Sequence, residues 1–260
     1  MADSENDPKK ELIQAGVEVV KTTYQDALQP VAKEAGKALG TLGKTVNIAL
    51  SPLHALVWGW DKISDYVKEA VERKLEERKV PPEQIKTPDP DVAVPALEAL
   101  RYSKLRENYA NLLATSMDTK TALEAHPAFV EILKQLTPDE AKLLQHLPVK
   151  GRGEPVVDLA YKIPEKGEFI VYRNASTLGH DAGCEFPEIT PKYIDNLCRL
   201  GLAEMPAGRH LVDDWRYDKV RNSVIVKGVL SGIPAESQGV IDKKYIGLTD
   251  LGDGFRRACI

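Results

Sequence analysis

The sequence predicts a mainly α-helical N-terminal region followed by a smaller α+β domain, and three observations carry that prediction. Apolar residues recur at three- and four-residue steps in several windows before position 147. β-Branched and aromatic runs at Val156–Tyr161 and Phe169–Tyr172 lie among glycines and prolines, the setting of strands. Helix-start signals at Thr137-Pro138-Asp139-Glu140 and Thr190-Pro191 combine a capping hydroxyl with a first-turn proline. At 260 residues the chain has room for one large or two modest domains.

The first amphipathic stretch, Leu12 to Leu28, places Ile13, Val17, Val20, Tyr24 and Leu28 on one face and stops near Pro30. From Val31 to about Leu50, Ala32, Gly36 and Gly40 repeat every four residues, a small-residue face suited to close helix packing. Lys33, Lys37 and Lys44 occupy the polar side, and an uncharged run follows from Thr45 to Trp60. At sixteen residues, with Pro52 and His54 inside it, that run is too short for a membrane span, which needs roughly twenty apolar residues. Trp58 and Trp60 beside charged residues match interfacial anchors, so a membrane-active hairpin bent at Pro52 is the second reading of this face. Ile63, Tyr66, Val67, Ala70 and Leu75 make the next helix, with a solvated charged face from Lys68 to Arg78.

Five prolines between Val80 and Pro95 predict an extended linker. Beyond it, Leu105, Tyr109, Leu112, Leu113 and Ser116 define one helix and Phe129, Ile132, Leu133 and Leu136 another, joined by a polar turn at Asp118 to Thr121. Asn108 and Asn111 edge the first of these helices, where their amides meet a neighbouring backbone, a ligand or a partner. His126-Pro127 starts the second. After the helix ending at Leu147 and the two strands, Tyr193, Ile194, Leu197 and Leu200 form a helix closed by Gly201. A strand at Lys243–Leu248 leads to Thr249-Asp250, which caps a last helix carrying Leu251, Phe255, Ala258 and Cys259.

Composition and motifs exclude more than they assert. Thirty-five basic residues against thirty-nine acidic give a net charge of −4, the balance of an ordinary globular chain and not of a polycation. Three cysteines exclude a disulfide scaffold and a four-cysteine zinc module; His180 and Cys184 have ligand spacing but no second pair. The sequence holds no phosphate-loop, Gly-x-Ser-x-Gly or His-Glu-x-x-His motif, so no catalytic residue, cofactor or metal is expected. The polar N-terminus, with acids where a secretory signal has cations, predicts a cytoplasmic location, with peripheral membrane association as the alternative.

Three resemblances follow from these residues. Leu200-Gly201-Leu202 and Leu248-Thr249-Asp250-Leu251-Gly252 resemble a winged helix-turn-helix over residues 137–260, interrupted by an insertion near 149–189. Its candidate reading helix offers only Lys192, Asp195, Asn196 and Arg199 in a region of net charge −1, so DNA reading is disfavoured and a transcription regulator is a lesser alternative. Arg173 to His180 is similar to the active motif of HEPN ribonucleases, which implies an RNA-cleaving toxin, although glycines around His180 predict a loop where that family has a helix. Val94–Leu100, Leu105–Ala114 and His126–Ala141 resemble the bacterial abortive-infection alpha family. That resemblance implies a phage-defence setting and brings no catalytic residues.

The expected organisation is therefore N-terminal assembly or membrane-active helices over 1–80, a proline-rich linker over 81–95, a helical core over 96–136 and a winged-helix-like α+β domain over 137–260. The expected function is non-enzymatic antiphage defence through protein contacts with a phage or host protein, through self-association and at a membrane surface.

Overall fold

The computed structural model describes residues 42–260, which divide into two compact units. One runs to Gln135 and includes Cys259; the other comprises Leu136–Ala258 with Ile260. Among the described residues the first unit is helical apart from one isolated bridge, Ile85↔Asp118. Its α-helices are α1 (Leu42–Leu50), α2 (Ser64–Glu77), α3 (Pro90–Leu100), α4 (Arg106–Met117) and α5 (Ala128–Lys134). Helix α4 packs on both α2 and α3, and all nine residues from Tyr109 to Met117 are buried. The sequence periodicity predicts one apolar face, but α4 is covered all round, the pattern of a central helix. Its buried polar groups bond within the unit: Ser116 Oγ donates to the Leu113 carbonyl at 2.7 Å, and Thr115 Oγ1 to the Asn111 carbonyl at 2.9 Å.

The expected linker at 81–95 is corrected. Its first half is pinned to the end of α4: Lys86 N donates to the Met117 carbonyl at 2.8 Å and Thr119 N to the Gln84 carbonyl at 3.0 Å. Its second half is helical. Asp89 caps α3 by accepting from Asp91 N, Pro90 occupies the first turn, and Pro95 sits inside the helix. Burial of Val92, Ala93, Ala96, Leu97 and Leu100 outweighs the backbone bond that Pro95 removes.

Tyr109 is fully buried at the heart of this unit, and its hydroxyl has no hydrogen-bond partner among the described residues. Burial, reinforced by the Glu131 charge, pushes the phenol up to about 12. Because the hydroxyl satisfies nothing, Tyr109→Phe is expected to leave the melting temperature unchanged or raise it, whereas Tyr109→Ala costs about 3 kcal/mol or more. Thermal melts of the two variants check this, and a fall of several degrees for the phenylalanine variant would contradict it.

The second unit is α+β. It contains α6 (Pro138–His146), β1 (Gly153–Ile163), β2 (Gly167–Ala175), a single-turn α7 (Leu178–Asp181), α8 (Thr190–Arg199), β3 (Ala203–Glu204), α9 (Asp218–Arg221), α10 (Val224–Ser231), β4 (Gln238–Leu248) and α11 (Asp250–Cys259). The strands form one antiparallel sheet in the order β2-β1-β4-β3. β1 and β4 pair from Gly153↔Gly247 to Lys162↔Gln238, so the expected strand at Lys243–Leu248 is the end of a longer one. Val157, Leu159, Ala175, Tyr217, Val220 and Val226 form a core against this sheet. Where β1 and β2 lose register, Asn174 adopts a positive φ of 56°. Its backbone N donates to Asp158 at 2.8 Å, its amide donates to Asp195 at 2.8 Å, and it accepts from Lys244 at 2.7 Å. These bonds hold the irregularity in place.

Candidate functional site

The most distinctive surface of the first unit is a cleft of about 290 Å³ lined by Lys62, Ile63, Tyr66, Leu100, Arg101, Tyr102 and Arg106. Local chain geometry builds it. Gly59 turns with φ +70° into a 3-10 turn, Trp60–Lys62, and a side chain at that position would crowd the Arg101 guanidinium. Arg101 follows the last residue of α3 and donates to the Trp58 carbonyl at 2.7 Å. Ser103 Oγ accepts from Leu105 N at 2.9 Å in the turn between α3 and α4, and Arg106 then opens α4, donating to the Arg101 carbonyl at 3.2 Å.

The Arg101 guanidinium lies 4.9 Å from the Trp58 ring centre and 5.4 Å from that of Tyr102, and Arg106 lies 5.7 Å from the Tyr66 ring. Among the described residues no carboxylate pairs with Lys62, Arg101 or Arg106; Glu107, next to Arg106, is taken by Arg73, Lys74 and Tyr66. Burial alone would push the Glu107 carboxyl up, but those donors outweigh it and hold it below its ordinary value. Burial and the bond to Glu107 together push Tyr66 up to about 12, so this phenol stays protonated. The arrangement, cations beneath an aromatic rim, suits binding of an anion.

The sequence-predicted residues separate. Ala32, Gly36 and Gly40 lie outside the described residues. Trp58 is 76% exposed beside Arg101, but Trp60 is buried and stacks on His54 with ring centres 4.3 Å apart, so the two tryptophans are not a pair of surface anchors. Asn108 and Asn111 both donate to the Cys259 carbonyl, at 3.0 and 3.3 Å, and Asn111 Oδ1 accepts from Arg78. His126 accepts from Ala128 N at 3.1 Å at the start of α5. Arg173 lies on β2, 3.7 Å from Asp158, whereas His180 sits on the single turn α7, so the pair does not share a helix. Sequence reasoning missed Lys62, Arg101, Tyr102 and Arg106. The available signal was Arg101, Lys104 and Arg106 within six positions, cations left between two apolar faces.

A second cleft of about 350 Å³ lies in the other unit, but its Arg216 is already bound to the Gly153 carbonyl at 2.7 Å and to Glu154 at 3.4 Å. Among the described residues no group of three His, Cys, Asp or Glu side chains is gathered to hold a metal, and no helix is long and apolar enough to cross a membrane.

Fold and site together define a mostly helical α+β protein with an exposed cationic–aromatic cleft. The family model described as abortive infection alpha matches residues 60–259, and the chain belongs to that family. Nothing among curated proteins matches it. A solved structure of an uncharacterised protein from the hydrocarbon-degrading marine bacterium Alcanivorax borkumensis SK2 is similar at 19% identity, over 53% of this chain and 92% of that one, with a TM-score of 0.35.

Proposed function

We propose that the chain serves abortive infection as a non-catalytic protein that works by contact, presenting its Trp58–Tyr102 cleft to a partner of phage or host origin. Family membership supports the setting, and one observation carries the mode: Trp58 and Tyr102 are 76% and 82% exposed around arginines that no described carboxylate neutralises. Tryptophan, tyrosine and arginine are the residues that most often dominate contact energies. Self-association through the segment before Lys44, where the sequence predicts amphipathic helices, completes the proposal.

The same reading makes residues 137–260 a winged-helix-like contact module that does not read DNA. In support, three of the four candidates on α8 are engaged internally, Lys192 alone being exposed without a partner among the described residues: Asn196 donates to Glu140 at 2.7 Å, Arg199 donates to Asn196 and Asp195 accepts from Asn174. The test is a phage plating assay with Arg101→Glu and Arg106→Glu together. Loss of protection by a chain that still folds is expected. Lys62→Glu, which breaks no ion pair among the described residues, should weaken protection at an unchanged melting temperature, and full protection in both would refute the role of the cleft.

A further inference from the structure

We infer that the occupant of this cleft is the phosphate headgroup of an anionic lipid surface, an inference that rests on the contact reading above and names its partner. Three cations converge there: Lys62 from the 3-10 turn, Arg101 from the end of α3 and Arg106 from the start of α4. Among the described residues no carboxylate is paired with them. Glu107 is held by Arg73, Lys74 and Tyr66, while Asp61 and Asp65 are exposed, with Asp65 accepting from Ser64. Guanidinium and ammonium groups around an opening of about 290 Å³ match one phosphate with its glycerol, at the lower limit of small-molecule sites.

The rim selects a membrane over a dissolved anion. Trp58 and Tyr102 are both exposed and both lie close to the Arg101 guanidinium, at 4.9 and 5.4 Å, amphipathic rings of the type that settles at headgroup level with an apolar body and a polar edge. A dissolved phosphate would leave both rings in water, whereas a lipid surface buries the rings and neutralises the arginines together. Peripheral docking of this kind requires no spanning helix, and none of the described helices is long and apolar enough to be one.

Cosedimentation of the full chain with vesicles tests this, using phosphatidylcholine alone and phosphatidylcholine mixed with phosphatidylglycerol. Binding to the mixed vesicles only is expected. Near an anionic surface each basic residue contributes about 1 kcal/mol, so Arg101→Glu with Arg106→Glu should lower the partition coefficient roughly thirtyfold or more. Lys62→Glu, whose side chain is exposed and makes no internal ion pair, should lower it at least about fivefold without a folding effect. Trp58→Ala with Tyr102→Ala should also weaken it. Three results would overturn the inference: no vesicle binding, vesicle binding unchanged in all these variants, or binding of glycerol phosphate or oligoglutamate by a chain that ignores vesicles. Plating decides the contact reading separately, because cleft variants that lose protection in a chain that never binds vesicles would leave that reading standing and remove only the lipid.

Discussion

Gly252→Ala is expected to unfold the second unit or to destabilise it by about 3 kcal/mol or more, the upper range for forced overpacking. A β-carbon at this position would fall inside the van der Waals radius of the Leu202 carbonyl oxygen, a backbone atom with no rotamer to escape into. The crowding arises because two chain turns are locked together. Thr249 N donates to the Leu202 carbonyl at 3.2 Å, Thr249 Oγ1 donates to the Gly201 carbonyl at 2.5 Å, and that same oxygen caps α11 by accepting from Gly252 N at 2.9 Å. β3 pairs Ala203 with Leu248 beside them. Chemical denaturation of the purified variant measures the effect, and a denaturation midpoint like that of the parent would show that the junction gives way at little cost.

The second large effect is expected at Asp139. This carboxylate is buried and accepts from Glu185 N and Phe186 N at 2.9 Å each, from Tyr193 Oη at 3.0 Å and from Lys142 at 3.3 Å, tying α6 to α8 and to the segment before it. Asp139→Ala leaves buried donors without an acceptor and should cost about 3 kcal/mol, or roughly 10 °C in melting temperature. Burial alone would raise this carboxyl, but the two backbone amides, Tyr193 and Lys142 outweigh it and lower the value below the ordinary 3.8. A carboxyl lowered by folding contributes its full stability above its unfolded value and loses it as pH falls through the folded one. The parent should therefore lose stability below about pH 4 more steeply than Asp139→Asn, a comparison made by melting both from pH 7 to pH 3. Parallel pH profiles would contradict the role given to Asp139.

These two positions show how much the sequence discloses. Leu200-Gly201-Leu202 is legible as a helix exit, and it has that geometry, with Gly201 at φ +72° and Leu202 N donating to the Leu197 carbonyl. Leu248-Thr249-Asp250-Leu251-Gly252 is legible as a strand running into a capped helix. That the two segments meet, and that Gly252 exists for the meeting, is a tertiary fact carried by no local pattern. Thr137-Pro138-Asp139-Glu140 behaves alike: its capping box between Thr137 and Glu140 follows from residue type, whereas the bonds of Asp139 to residues 185, 186 and 193 span about half a hundred positions.

Other elements escaped for identifiable reasons. α10, Val224-Ile-Val-Lys-Gly-Val-Leu-Ser231, is β-branched, lacks helical alternation and contains Gly228; its helix depends on Ser223 accepting from Val226 N and on burial of Val226. Prolines 90 and 95 argue locally against the helix that packing then enforces. The cleft residues Lys62, Arg101 and Arg106 carry no periodic signal because they lie at helix ends, and only the folded first unit brings them around Tyr66 and Tyr102.

The central claim, that the chain acts by contact through this cleft and not by catalysis, is tested most directly by one plating comparison at matched expression. Arg101→Glu with Arg106→Glu should abolish protection, and Arg173→Ala with His180→Ala should retain it. Protection lost only with Arg173 and His180, and kept when the cleft charges are reversed, would contradict the account and point to RNA cleavage.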